Sequence, residues 1–74
     1  MNSTDILALR KSQGLTQVEF AHTWGLNFKT YRDWEGGARE PKQGALLWLM
    51  TVKHHPVAAA KIVAIYRKKG WTPT

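Results

Sequence analysis

Residues 16–41, TQVEFAHTWGLNFKTYRDWEGGAREP, contain the signals of two short helices joined by a tight turn. Thr16 and Glu19 have capping-box spacing, in which each side chain accepts a hydrogen bond from the other residue's backbone amide. Asn27 is suited to cap a second helix. Gly25, between them, can adopt the left-handed conformation that ends the first helix. The stretch therefore predicts a helix-turn-helix with a connection of about three residues.

The rest of the chain carries start and stop signals for three more helices. Ser3 or Thr4 can cap the first helix, and Gly14 ends it. Pro56 favours the first turn of the last helix because its missing amide would have no partner there, and Gly70 ends that helix. The sequence thus predicts one all-α domain over residues 1–74, with five helices at 4–13, 17–24, 28–35, 43–54 and 57–69.

Helical spacing of apolar residues identifies the expected core and the faces left outside it. The expected core residues are Phe20, Ala21, Trp24, Tyr31, Trp34, Leu46, Leu49 and Met50, with either Trp48 or Val52. The third helix then presents four outward side chains: Phe28, Lys29, Arg32 and Asp33. The last helix has more apolar surface than one packed face requires. We expect a dimer interface there, formed by Val57, Ile62, Ile65 and Tyr66.

Composition narrows the class of partner. The 74 residues carry a net charge of +6, which favours a polyanion because neutralised phosphates release their counterions. Charge does not separate nucleic acid from an acidic membrane surface, and Lys61, Arg67, Lys68 and Lys69 fit either phosphate contact or simple solvation. The chain has no cysteine, no signal-peptide pattern and no apolar run near the roughly 20 residues of a membrane span. We expect a cytoplasmic protein without disulfides.

Enzymatic and metal-dependent functions find little support in the sequence. Ser3 and Ser12 lie near a terminus or the surface, without a base and orienting group beside them. His22, His54 and His55 lack the spacing of a zinc site. We therefore expect no catalytic residues, no cofactor and no metal.

The central stretch also resembles a known family. The pattern R-x(4)-LTQ-x-EFA-x(3)-GL-N-x(2)-TY-x(2)-WE-x-G-x-R-x-P, from Arg10 to Pro41, resembles the phage-repressor-like helix-turn-helix domain of the XRE (Cro/C1) family. The resemblance covers roughly residues 4–68 and is closest in appearance to HigA-type antitoxins and small phage or mobile-element regulators. It implies a lambda-repressor-like fold in which the third of five helices enters the DNA major groove.

The resemblance assigns roles to individual residues. Bases would be contacted from the third helix by Phe28, Lys29, Arg32 and Asp33. The DNA backbone would be contacted by Thr16, Gln17, Thr30, Gly37, Arg39 and Lys42. Gln17 resembles the family glutamine that also braces the start of the recognition helix. Arg10 and Glu35 would form a structural ion pair, since a carboxylate facing phosphate would be repelled.

The implied function is sequence-specific recognition of double-stranded DNA by a transcriptional regulator. It would act as a homodimeric repressor on an inverted-repeat operator, in a phage, anti-CRISPR, restriction-modification or toxin-antitoxin setting. The alternative is an antitoxin or protein-interaction module that binds a toxin as well as DNA. Trp71 in the tail could either dock on the domain or contact a partner.

Overall fold

A computed structural model describes residues 1–70, and that part of the chain is folded entirely into helices and their connections. The helices are α1 (Ser3–Ser12), α2 (Gln17–Thr23), α3 (Phe28–Gly36), α4 (Gln43–His54) and α5 (Pro56–Lys68). The predicted all-α class with five helices is confirmed, and each helix begins and ends within one residue of its predicted bound. Across residues 1–70, no helix has the length and apolar character needed to cross a membrane.

The start of α1 differs from the prediction. Asn2 is the cap, since its side chain accepts from the Asp5 amide at 2.9 Å while the Asp5 carboxylate accepts from the Asn2 amide at 3.0 Å. Ser3 or Thr4 as the cap would place an apolar residue, Ile6 or Leu7, where the reciprocal carboxylate has to stand. The complete capping box therefore forms at the earlier residue.

The connection from α2 to α3 follows its local signals. The predicted capping box is confirmed, with the Glu19 amide 3.1 Å from Thr16 Oγ1 and the Thr16 amide 2.9 Å from Glu19 Oε1. Gly25 has a φ of 69°, and the next amide, that of Leu26, donates back to the Ala21 carbonyl at 2.8 Å. Asn27 then caps α3 by accepting from the Thr30 amide at 3.1 Å. These bonds fix the angle at which α3 leaves α2.

Aromatic rings dominate the core between α2 and α3. The Phe20 and Tyr31 rings stack with centroids 4.9 Å apart, and Trp34 meets Tyr31 edge-on at 6.1 Å. Such pairs add specific geometry to the burial of large apolar surfaces. The buried apolar residues are Ile6, Leu9, Phe20, Ala21, Trp24, Tyr31, Trp34, Leu49, Val52 and Ala59. Most of the predicted core is therefore buried, including every residue predicted from α2 and α3.

The rotation of α4 differs from the prediction. Leu49 and Val52 are buried and Leu46 is half-buried, whereas Met50 is 42% exposed and Leu47 is 59% exposed. Trp48 is half-buried because its indole Nε1 donates to the Trp24 carbonyl at 3.0 Å, which keeps one edge of the ring on α2. With Leu49 and Val52 fixing the inward face, Met50 falls on the opposite side. Met50 as a core residue was wrong, and Val52 takes that place.

Candidate functional site

The outward face of α3 is defined by what the helix buries. Tyr31 and Trp34 stand three residues apart and are both buried, so they fix the rotation of the helix about its axis. Lys29 and Arg32 consequently point away from the core and are exposed to solvent. We call these two cations, together with Phe28, the α3 outer face.

A partly buried ion pair anchors the C-terminal end of α3. Arg10 Nε lies 2.7 Å from Glu35 Oε2 and Arg10 Nη2 lies 3.0 Å from Glu35 Oε1, so the pair is bidentate. The Glu35 side chain is only 4% exposed and that of Arg10 is 15% exposed. Arg10 Nη1 also donates to the Leu15 carbonyl at 2.9 Å. The pair thereby joins α1, the connection before α2 and the end of α3.

Gln17 extends this network in a way that corrects the expectation. Its side-chain nitrogen donates to Glu35 Oε1 at 3.1 Å, so it braces the end of α3 rather than the start. Burial acts to raise the pKa of Glu35, but the hydrogen bonds from Arg10 and Gln17 hold that pKa below its ordinary value. The start of α3 is braced instead by the Asn27 cap. Both ends of the helix are therefore fixed.

The Tyr31 hydroxyl is buried beside the network. Among residues 1–70, no partner lies within hydrogen-bond geometry of its oxygen. Burial and the neighbouring Glu35 carboxylate both raise the pKa of Tyr31. The phenol consequently stays neutral, and Tyr31 stabilises the core through the packing of its ring.

Phe28 and Arg32 form a contact at the start of the α3 outer face. They stand at i and i+4, and the Arg32 guanidinium carbon lies 5.8 Å from the centroid of the Phe28 ring. This distance is typical of a cation–π contact. Phe28 is 36% exposed and lies outside the buried core. An aromatic ring and a cation thus reach the same part of the surface.

Asp33 has a role that sequence reasoning missed. Its carboxylate lies 3.7 Å from Arg39 Nε and 3.8 Å from Arg32 Nη2. Its backbone carbonyl accepts from the amides of Ala38 and Arg39 at 3.0 and 3.3 Å. Asp33 was predicted to contact bases; in the structure its carboxylate faces both Arg39 and Arg32, and Arg39 lies beside the end of α3. The i+6 spacing of Asp33 and Arg39 across a glycine turn is a weak signal, since it depends on the path of that turn.

The loop after α3 offers side chains rather than amides to a partner. Gly37 has a φ of 79° and its amide donates to the Asp33 and Trp34 carbonyls, closing the end of α3. The predicted phosphate contact of Gly37 therefore has no free amide of that residue to use. Arg39 and Lys42 are both exposed and supply the positive charge of the loop.

The other residues that were predicted to contact the DNA backbone lie near the starts of helices. The Thr16 and Thr30 hydroxyls are both occupied locally, one in the α2 capping box and the other donating to Asn27 Oδ1 at 3.3 Å. Lys42 precedes α4, where no side chain of residues 1–70 caps the first turn and the first turn contains no acidic residue. The unpaired amides there carry partial positive charge, which adds to that of Lys42.

The exposed apolar residues of α5 do not all share one side. Ile62 and Ile65 are three residues apart and lie together, and Tyr66 follows at the edge of an open groove of about 300 Å³ against Trp24 and Trp48. Val57 is also exposed but points roughly a third of a turn away from the isoleucines. The residues predicted to form the interface therefore spread around the helix, with Val57 nearer to Ile65 than to Ile62 or Tyr66.

The sequence left the role of Arg67 open between phosphate contact and simple solvation, and the structure gives it a partner within the chain. Its guanidinium donates to the His22 carbonyl near the end of α2, so it joins α5 to α2. The predicted role of Trp71 lies outside the described residues. Within residues 1–70, no cluster of three or more histidine, aspartate or glutamate side chains is placed to hold a metal ion.

No family model, curated protein or solved structure matches this chain.

Proposed function

We propose that this chain is a sequence-specific, double-stranded DNA-binding transcriptional regulator that places α3 in the major groove. A single observation carries the proposal: α3 buries Tyr31 and Trp34 while it exposes Lys29 and Arg32 on its outward face. The major groove of B-DNA is about 12 Å wide and admits one α-helix. Lysine and arginine donate to the O6 and N7 acceptors of guanine in that groove.

The rigidity of α3 supports direct base recognition. A side chain can select a base only if its helix is held in one orientation, because small rotations would move the donors past neighbouring base pairs. The Arg10–Glu35 pair fixes one end of α3 and the Asn27 cap fixes the other. Lys29 and Arg32 therefore project from a helix that is held in one orientation.

Positive charge beside α3 supports contact with the DNA backbone. Arg39 is held next to the helix by Asp33, and Lys42 lies at the uncapped start of α4. Phosphate contacts of this kind set the register of a protein on DNA without reading its sequence. The net charge of +6 adds a general attraction to the duplex.

A homodimer would complete the proposed regulator. One short helix reads only a few base pairs, and a two-fold dimer would place two α3 helices in successive major grooves about 34 Å apart. The exposed Ile62 and Ile65 on α5 are suited to such an interface. Binding over a promoter would repress transcription by blocking polymerase.

The test is selection of bound duplexes from a random pool, followed by affinity measurements at several salt concentrations. We expect an inverted repeat that binds at least about a thousandfold more tightly than random DNA. A Lys29→Ala/Arg32→Ala variant should lose this preference. The matched control Lys11→Ala/Lys61→Ala removes the same charge from exposed residues outside α3 and should retain the preference. Weak, salt-sensitive binding with no enriched sequence would contradict the proposal.

Binding of a protein partner is a second candidate function, as in an antitoxin. Leu47 and Met50 form an exposed apolar pair on the outward side of α4, where no residue of the described chain covers them. Co-purification with the product of an adjacent toxin-like gene tests this candidate. Leu47→Glu should abolish that binding, and the domain should stay folded because Leu47 is 59% exposed. DNA binding through α3 should then be unchanged.

A further inference from the structure

We propose that Phe28 and Arg32 together recognise a guanine next to a base that carries a C5 methyl group, either thymine or 5-methylcytosine. This inference rests on the proposed function and names the base step that the α3 outer face would select. It also implies that methylation of cytosine in the DNA would change the affinity of the protein.

The contact between the two side chains is the first step. The Arg32 guanidinium carbon lies 5.8 Å from the Phe28 ring centroid, and the one-turn spacing on α3 keeps both on the same side. A contact with a ring face leaves the in-plane N–H donors of a guanidinium available. The Asp33 carboxylate is 3.8 Å from Arg32 Nη2, which is longer than a hydrogen bond. It therefore steers the cation without using a donor.

The chemistry of the major groove is the second step. Arginine binds guanine O6 and N7 with two parallel donors, and an aromatic side chain contacts the methyl group of thymine. Successive bases are about 3.4 Å apart along a strand. The 5.8 Å between the guanidinium carbon and the ring centroid lies between one and two such steps, so the donors and the ring can contact neighbouring base pairs. Uracil and cytosine lack this methyl group, whereas 5-methylcytosine has it.

The exposure of Phe28 is the third step. The ring is 36% exposed at the first residue of α3, and the buried core is complete without it. Contact with a methyl group would bury the part of the ring that is still exposed, and burial of apolar surface is favourable. The Lys29 side chain beside it supplies positive charge but no apolar contact.

The experiment uses the intact chain and the duplex selected in the test above. Each thymine is replaced in turn by uracil, each cytosine next to guanine is replaced by 5-methylcytosine, and affinities are measured by fluorescence anisotropy. We expect one thymine next to guanine in each half-site where uracil weakens binding about three- to fivefold, the effect of losing one methyl contact. With cytosine at that position, methylation should restore a similar factor.

Variants separate the role of Phe28 from general binding. In Phe28→Ala the thymine-to-uracil ratio should fall to about one, whereas in Phe28→Leu it should persist because an apolar contact remains. Lys29→Ala is the control, since it should weaken binding while keeping the ratio. Circular dichroism verifies that each variant is folded, which is expected because both positions are exposed.

Three results would overturn the inference while leaving the proposed function intact. They are a selected half-site without thymine next to guanine, equal binding of thymine and uracil at every position, and a ratio that persists in Phe28→Ala. If no duplex is enriched at all, the proposed function itself fails and the inference fails with it.

Discussion

Arg10 and Glu35 are 25 residues apart in the chain, and their side chains meet through two hydrogen bonds of 2.7 and 3.0 Å. This ion pair is the main polar link between α1 and α3, and Gln17 completes it from α2. The orientation of α3, the proposed DNA-recognition helix, therefore depends on the Glu35 carboxylate staying paired with Arg10.

Arg10→Ala should lower the free energy of unfolding by about 3 kcal/mol, because it leaves the Glu35 carboxylate buried without its cation. Urea denaturation measures the change. Lys11→Ala is the control, since Lys11 is exposed and should change stability by less than about 0.5 kcal/mol. If the two variants are equally stable, the pair does not hold α3 in place.

The domain should lose stability in acid. The pKa of Glu35 in the folded chain is held below its ordinary value, so folding disfavours protonation of this carboxylate. The resulting stabilisation is fully present above about pH 4.5 and is lost as the pH falls through the folded pKa. Unfolding measured between pH 7 and pH 2 should show this decline. Glu35→Gln should flatten it, and an unchanged slope would refute the assignment.

Lys29 and Arg39 should affect DNA binding differently. Lys29→Ala should relax preference at one base position and cost about 1 to 3 kcal/mol on the selected duplex. Arg39→Ala should weaken all duplexes alike and reduce the salt slope by about one unit, since its contact is to phosphate. Titrations of both variants against the selected duplex and random DNA distinguish the two effects. Equal weakening of every duplex by both variants would contradict base reading by Lys29.

Replacing Gly36 by alanine should raise the stability of the domain and weaken its binding to DNA. A Cβ at this helical position would meet no atom of the described residues within 4 Å, so Gly36→Ala should stabilise the domain by roughly 0.5 to 1 kcal/mol. Gly36 follows Lys29 by seven residues, or about two helical turns, so the two lie on the same side of α3. An added methyl group there should weaken DNA binding by about tenfold, or 1.4 kcal/mol. Thermal denaturation and anisotropy measure the two changes, and unchanged affinity would remove the end of α3 from the interface.

The proposed dimer should depend on one side of α5. Ile65→Glu, at a residue 53% exposed, should convert dimers to monomers and lower the affinity for the inverted repeat. Ala60→Glu is the matched control, because Ala60 is also exposed but lies more than a third of a turn around the helix from both Ile62 and Ile65. Sedimentation velocity reports the oligomeric state. A dimer that persists in Ile65→Glu would place the interface elsewhere.

Local signals in the sequence are enough to predict where most of the helices begin and end. Capping boxes, the Asn27 cap, the positive φ of Gly25 and the proline at the start of α5 act over a few residues, so their effects can be predicted without a fold. The rotation of α3 was also predictable, because Tyr31 and Trp34 are large apolar residues at helical spacing. Even here the α1 cap was misplaced by one residue or more, since Asn2 competes with two other good caps.

Contacts between groups that are distant in the chain could not be predicted from the sequence and are visible in the folded structure alone. Gln17 contacts the end of α3, Asp33 holds Arg39, and Arg67 donates to the His22 carbonyl. Each contact depends on the angle between helices or on the path of a turn, and helical spacing contains neither. The same reason explains the rotation of α4. Met50 and Val52 are both apolar, so the sequence does not say which of them is buried. The packing of Leu49 and Trp48 against the rest of the core turns Val52 inward and leaves Met50 exposed.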